Sequence, residues 1–157
     1  MKKILLILGW FWILSTSAEA PPTYIEYTEP EPIIEYPFGI SDTMLLSFIR
    51  LESNFNEQAV NPVTGARGIL QILPVMINEA NRLQSLLGNP IQYTWDDAWS
   101  VEKSIEIWYL VQNYHNPDYN IQEACKIWFG RGVQYDGMTW IEYHKKVEHY
   151  LNALYLT

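Results

Sequence analysis

From residue 41 onward the apolar positions recur every three or four residues, and no alternating strand pattern of any length interrupts them. The pattern predicts five helices. The first runs over about 44–55, capped by Ser41 or Asp42. The second covers about 74–87, with Pro74 suited to its first turn. The third extends from a cap at Asp96 or Asp97 to about Tyr114, with Val101, Ile105 and Trp108 as its inward stripe. A fourth over 121–129 is stopped by Gly130 and Gly132, and a last one covers about 139–155. Between the first two, Asn61-Pro62-Val63-Thr64-Gly65 is turn chemistry, followed by the short apolar run Gly68-Ile69-Leu70-Gln71-Ile72-Leu73. The expected fold is all-α, about five helices around one core, with at most a scrap of hairpin in a loop.

One position sits on the wrong side of its helix. On a wheel of about 3.6 residues per turn, Glu52 lines up with Leu45, Phe48 and Ile49, whereas Arg50 falls on nearly the opposite side. A carboxyl group in a core-facing stripe has its charged form disfavoured and its pKa raised, which is the condition for a general acid. The plain alternatives are a helix-end side chain that bends back to water, or one paired with a nearby arginine.

The region before residue 41 changes the picture of where the chain works. Lys2 and Lys3 precede an apolar run, 4–14, and Ala18-Glu19-Ala20 is an A-x-A cleavage pattern. As a helix that run spans about 16 Å, roughly half a bilayer's hydrocarbon thickness. Residues 1–20 therefore read as a cleaved signal peptide, which leaves no stable membrane insertion and implies export to the periplasm, the cell wall or the medium. Residues 21–40 interleave proline and glutamate with tyrosine and isoleucine, and read as an extended linker or surface strap. The folded domain is expected over 41–157.

Charge excludes one partner class. Removing Lys2, Lys3 and Glu19 with residues 1–20 turns 10 basic and 18 acidic side chains into 8 and 17. Nucleic acid is not expected as a partner, because phosphate neutralisation needs an excess of Lys and Arg. The single cysteine, Cys125, has no partner for an intramolecular disulfide and reads as a small buried hydrophobe. No metal or other cofactor is expected: His115 stands alone, and His144 and His149 are five apart, off one helical face, in a stretch that reads as a solvated surface. A few exposed aromatics would suit sugar rings.

The stretch Glu52-Ser53-Asn54-Phe55-Asn56, Ala59-Val60-Asn61-Pro62 and Gly65-Ala66-Arg67-Gly68-Ile69-Leu70-Gln71-Ile72-Leu73-Pro74 closely resembles the catalytic segment of the soluble lytic transglycosylase (SLT) family. These are lysozyme-like muramidases that act on peptidoglycan. Weaker similarity continues to Leu151. The resemblance implies a lysozyme-like helical fold, peptidoglycan glycan strands as substrate, and Glu52 as the single acid/base. It also implies substrate contacts from Ser53 and Gln71, with the backbone of Gly68, Ile69 and Leu70 lining the cleft and Trp128 and Tyr143 further along it. Ser53 could equally cap the helix, and Gln71 could satisfy loop backbone groups.

Where the family carries an Ala-Tyr-Asn-x-Gly motif, this chain has Ala124-Cys125-Lys126-Ile127-Trp128-Phe129-Gly130, with Ile127 and Trp128 in place of the Tyr and Asn. That Tyr is expected near the catalytic carboxylate, so Glu52 loses an orienting partner unless Tyr93, Tyr109 or Tyr143 reaches in. Ser104 stands where a glycine is usual. Two alternatives stay open. Goose-type lysozyme hydrolysis on the same fold needs a second carboxylate, for which Asp96, Asp97 and Glu57 are the candidates. A non-catalytic peptidoglycan-binding or assembly protein is the other. The small size also suits a specialised role beside a secretion machine, pilus or phage particle.

Overall fold

Residues 44–49 are all buried, which leaves helix α1 (Thr43–Glu52) apolar on nearly every side. A helix of that kind belongs inside a domain rather than on its surface, and the rest of the chain wraps it. The computed structural model describes residues 42–130 and 137–155. These fall within one compact unit, Glu35–Thr157. The expected signal peptide (1–20), the 21–40 strap, Ser41 and the Gly132 stop lie outside the described residues.

α1 is capped by Asp42, whose Oδ1 accepts from the Leu45 N–H at 3.1 Å. The helix stops at Glu52 rather than near Phe55, because Asn54 and Phe55 turn into the left-handed region at φ 53° and 64°. The wheel placed Leu45, Phe48 and Ile49 inward, and all three are fully buried with Arg50 exposed. An amphipathic reading was too narrow, however, since Met44, Leu46 and Ser47 are buried as well.

α2 (Pro74–Leu86) opens on its proline and packs against α3 (Val101–His115). The third helix differs from expectation at its start. Thr94 and Asp97 form a capping box that begins a separate 3₁₀ helix, Trp95–Trp99, and an extended Ser100 breaks it and caps α3 through the Lys103 N–H. Asp96 and Asp97 are thus not α3 caps. The expected stripe does face the core, with Trp108 fully buried and Val101 and Ile105 partly buried against it, but it is wider than expected, since Ser104, Ile107, Val111 and Gln112 are buried as well. Ser104 tolerates burial because its hydroxyl donates to the Ala98 carbonyl at 3.1 Å.

α4 (Ile121–Phe129) is capped by Asn120 and ends at Gly130, whose φ of 96° suits glycine. α5 (Trp140–Tyr155) packs along both α1 and α4. The α1–α2 loop carries a scrap of extended pairing, the bridges Val60–Arg67 and Arg67–Ile72. Gly68 anchors that loop: at φ +73° it passes so close to the 3₁₀ helix that a Cβ would lie 1.8 Å from the Ala98 oxygen. The core unites Leu45, Phe48 and Ile49 with Ile69, Leu70 and Ile72 of the loop, Trp108 of α3 and Val147 of α5. Each of these fully buried aliphatic side chains stabilises the fold by roughly 1.5–3 kcal/mol. Cys125 is a free, buried thiol, and burial pushes its pKa up to about 12. No described helix is long and apolar enough to cross a membrane.

Candidate active site

A cleft of about 710 Å³ opens where the end of α1, the α1–α2 loop, the start of α2, the end of α3 and α4 converge. Glu52 lines it as the last residue of α1, so the helix that forms the core also delivers the carboxylate to the cleft wall. The surroundings are apolar: Leu51, Ile72, Leu73, Met76, Ile127, Trp128 and Phe129 share the same walls. Desolvation there raises the Glu52 pKa from its ordinary value to about 7, against a smaller lowering effect from its hydrogen bond with Tyr143.

Of the three tyrosines considered as stand-ins for the missing α4 residue, Tyr143 is the one that reaches Glu52. Its hydroxyl donates a short hydrogen bond to Glu52 Oε1. Tyr143 comes from α5, and its ring packs against Phe48 of α1 (centroids 5.9 Å apart) and Phe129 of α4 (5.1 Å). Those contacts fix the hydroxyl from both sides. Burial and the neighbouring carboxylate hold the phenol far above its usual pKa, so it remains a donor. Tyr93 instead contacts Gln84 and Glu106, and Tyr109 donates to Asp42.

The other sequence-predicted residues divide. Gln71 lines the cleft, and its Nε2 donates to the carbonyls of Ala59 (3.1 Å) and Gly68 (2.9 Å), stitching the loop together. Its backbone is left-handed at φ 49°, a conformation that costs a non-glycine residue about 1 kcal/mol or more, so strain is stored at the cleft wall. Trp128 lines the cleft too, and its Nε1 donates to the Leu70 carbonyl at 3.3 Å, tying α4 to the loop. Ser53 is not among the lining residues; its hydroxyl donates back to the Ile49 carbonyl at 3.3 Å and closes the helix. Gly68, Ile69 and Leu70 do not line it either. Ile69 and Leu70 face the core, and the loop wall is made by Asn61, Thr64, Ala66, Gln71, Ile72 and Leu73.

A second carboxylate in the cleft was not among the sequence candidates. Asp96 is almost fully exposed beside Arg67, Asp97 is spent on Thr94, and neither they nor Glu57 line the cleft. Glu79 of α2 does. Its Oε1 lies 2.6 Å from Arg82 Nη2 and 2.7 Å from His115 Nε2, and its Oε2 accepts from Arg82 Nε at 2.7 Å. These partners, Arg82 foremost, hold its carboxyl down at about 2. The spacing Glu79–Arg82 was visible in the sequence as an ordinary i,i+3 pair. Its position in the cleft and the approach of His115 from α3 were not. Among the described residues no three His, Cys, Asp or Glu side chains form a group that could hold a metal ion.

Comparison with known proteins places this arrangement. A family model described as the transglycosylase SLT domain matches residues 33–125, more than half of the chain. No curated protein and no solved structure matches it. The matched span holds Glu52, the loop and Gln71, and stops short of Trp128 and Tyr143. The match covers more than half of a chain whose described elements are helical, and the chain belongs to the transglycosylase SLT domain family.

Proposed function

We propose that the protein is a peptidoglycan lytic transglycosylase that cleaves the β-1,4 bond between N-acetylmuramic acid and N-acetylglucosamine, with Glu52 as its single acid/base. The observation that carries this reading is the environment of Glu52, a carboxyl group of pKa about 7 in an apolar cleft wall with a tyrosine hydroxyl on Oε1. At neutral pH a large share of it is protonated. It can therefore give its proton to the glycosidic oxygen as that bond breaks. The resulting carboxylate takes the proton of the same muramic acid's C6 hydroxyl. That oxygen attacks the anomeric carbon and closes a 1,6-anhydro ring, so neither water nor a second carboxylate is consumed. Tyr143 steadies the carboxylate while it is charged. The Trp128 and Phe129 rings offer apolar faces to the sugars.

Goose-type hydrolysis would require a base to activate water. Glu79 is the lining carboxylate available for it, and a group held at about 2 by Arg82 and His115 is a weak base for that task. The test is product analysis of digested sacculi by mass spectrometry. Anhydro-muramic ends are expected from the parent protein and none from Glu52→Gln. Reducing muramic ends would sink the transglycosylase assignment, full activity of Glu52→Gln would mean that Glu52 is not catalytic, and sacculi left uncut by the parent would favour the non-catalytic, binding reading of the cleft. The same proposal puts the mature protein outside the cytoplasm, starting after Ala20, which N-terminal sequencing of exported protein checks.

A further inference from the structure

The described residues include seven Lys and Arg side chains. Four are ion-paired: Arg67 with Asp96, Arg82 with Glu79, Lys103 with Glu106 and Lys126 with Glu123. The other three, Arg50, Lys145 and Lys146, converge on one place. Lys145 and Lys146 line a second hollow, of about 290 Å³, together with Leu51, His149 and Tyr150. The Arg50 guanidinium lies 6.0 Å from the centroid of the Tyr150 ring at its border. Neither described carboxylate on the same helix forms an ion pair with these cations. Glu142 accepts from the Thr139 backbone (2.8 Å) and hydroxyl (3.1 Å), and feels the two lysines only at a distance; Glu148 stands 3.4 Å from His144.

Among the described residues these three cations are in no ion pair, and held this close they repel one another, in a chain whose formal net charge is −8. The hollow also adjoins the candidate active site: Leu51 lines both, and it is the residue before Glu52. An occupant of the cleft therefore has an anion-receptive surface next to its reacting bond. Apolar Leu51 and the Tyr150 ring form its floor, with ammonium, guanidinium and imidazole donors around it.

We propose that this hollow binds a carboxylate of the peptide stem that branches from the muramic acid, while the sugars of the same strand occupy the cleft. The inference rests on the reading of the cleft as a glycan-cleaving site. It makes Arg50, Lys145, Lys146 and His149 specificity-determining groups that favour peptide-bearing strands over bare ones. Several exposed cations act together here because each alone contributes little.

Lys145 and Lys146 are both exposed, so their exchange for glutamine leaves the core intact. Cleavage of peptide-bearing strands and of amidase-stripped strands is compared for the parent and for Lys145→Gln/Lys146→Gln. The preference of the parent, as a ratio of kcat/KM values, is expected to fall about tenfold in the double variant, and to shrink with added salt. An unchanged ratio overturns the proposal, and so does an equal loss on both substrates. Titration with the free stem peptide is independent of cleavage. Binding should be retained in Glu52→Gln and weakened in the double variant, and absence of binding to the parent overturns the proposal even if the strands are cut. Conversely, peptide binding by a parent that cuts neither strand leaves the hollow standing and defeats the catalytic reading. Strands freed of phosphodiester-linked wall polymer by hydrofluoric acid separate carboxylate from phosphate; loss of the preference on those strands would overturn the carboxylate assignment.

Discussion

The cleft holds two glutamates that differ in everything but their chemistry. Glu52 stands among apolar side chains with a phenol as its hydrogen-bond partner, and its pKa rises to about 7. Glu79 lines the same cleft from α2, but an arginine fork and a histidine hold it at about 2. The difference teaches that lining a cleft does not make a carboxylate an acid/base. Desolvation without a cation leaves a proton available for transfer, whereas an arginine and a histidine ring keep the carboxylate ionised and fix it as a strut between α2 and α3.

Substitution of Glu52 should have the largest effect. Glu52→Gln is expected to lower the rate of release of soluble muropeptides by about 10³-fold or more, the usual scale of a lost general acid. Glu79→Gln is expected to stay within a few-fold of the parent in the same assay; a comparable collapse there would break the contrast and revive the two-carboxylate mechanism.

Tyr143→Phe tests how Glu52 is held. The Tyr143 hydrogen bond lowers the Glu52 pKa against the larger effect of burial. Its removal should therefore move the alkaline limb of the pH–rate profile above about 7 and reduce kcat by about tenfold, at the scale of one hydrogen bond to a charged group. An unmoved alkaline limb would mean that Glu52 is oriented by something else.

Stability against pH should show opposite signs for the two residues. Because the folded protein holds Glu52 at about 7, above its ordinary 4.5, the cost of burying it is absent below 4.5 and complete above 7. Glu52→Gln should thus be more stable than the parent by about 3 kcal/mol in urea unfolding at pH 8, with the gap closing at pH 4. Glu79 has its folded pKa depressed, so its contribution is present above 4.5 and is lost as pH falls toward 2. Glu79→Gln should cost under about 1 kcal/mol at neutral pH, since Arg82 is half exposed and the pair is screened, and nothing at pH 2. This is the smallest of the expected effects, and a stabilising Glu79→Gln at neutral pH would contradict the ion-paired account.

Much of the fold could be read directly from residue order. Helical periodicity placed five helices to within a few residues, Pro74 and Gly130 marked real boundaries, and the wheel put Leu45, Phe48 and Ile49 in the core. It failed where local chemistry competed with periodicity. The Thr94–Asp97 capping box captured residues assigned to α3, and the buried stripe of α3 is wider than the periodicity showed, taking in Ser104 with its hydroxyl on the Ala98 carbonyl. Ser53 and the backbone of Gly68, Ile69 and Leu70, implied by resemblance, are not among the residues that line the cleft.

The sequence by itself determined that Glu52 is a charge on an apolar helix, because the period of one α-helix is a local property that twelve residues suffice to show. It also determined the family, because the loop motif from Glu52 to Pro74 is continuous along the chain. Only the tertiary structure decided what surrounds that carboxylate. Tyr143 is 91 residues away on α5, and Glu79 meets its histidine across 36 residues from another helix. Hydrogen bonding and desolvation act over a few ångströms in space regardless of separation along the chain, so the partner that replaces the α4 tyrosine, and the contrast between the two glutamates, exist only once the helices are packed.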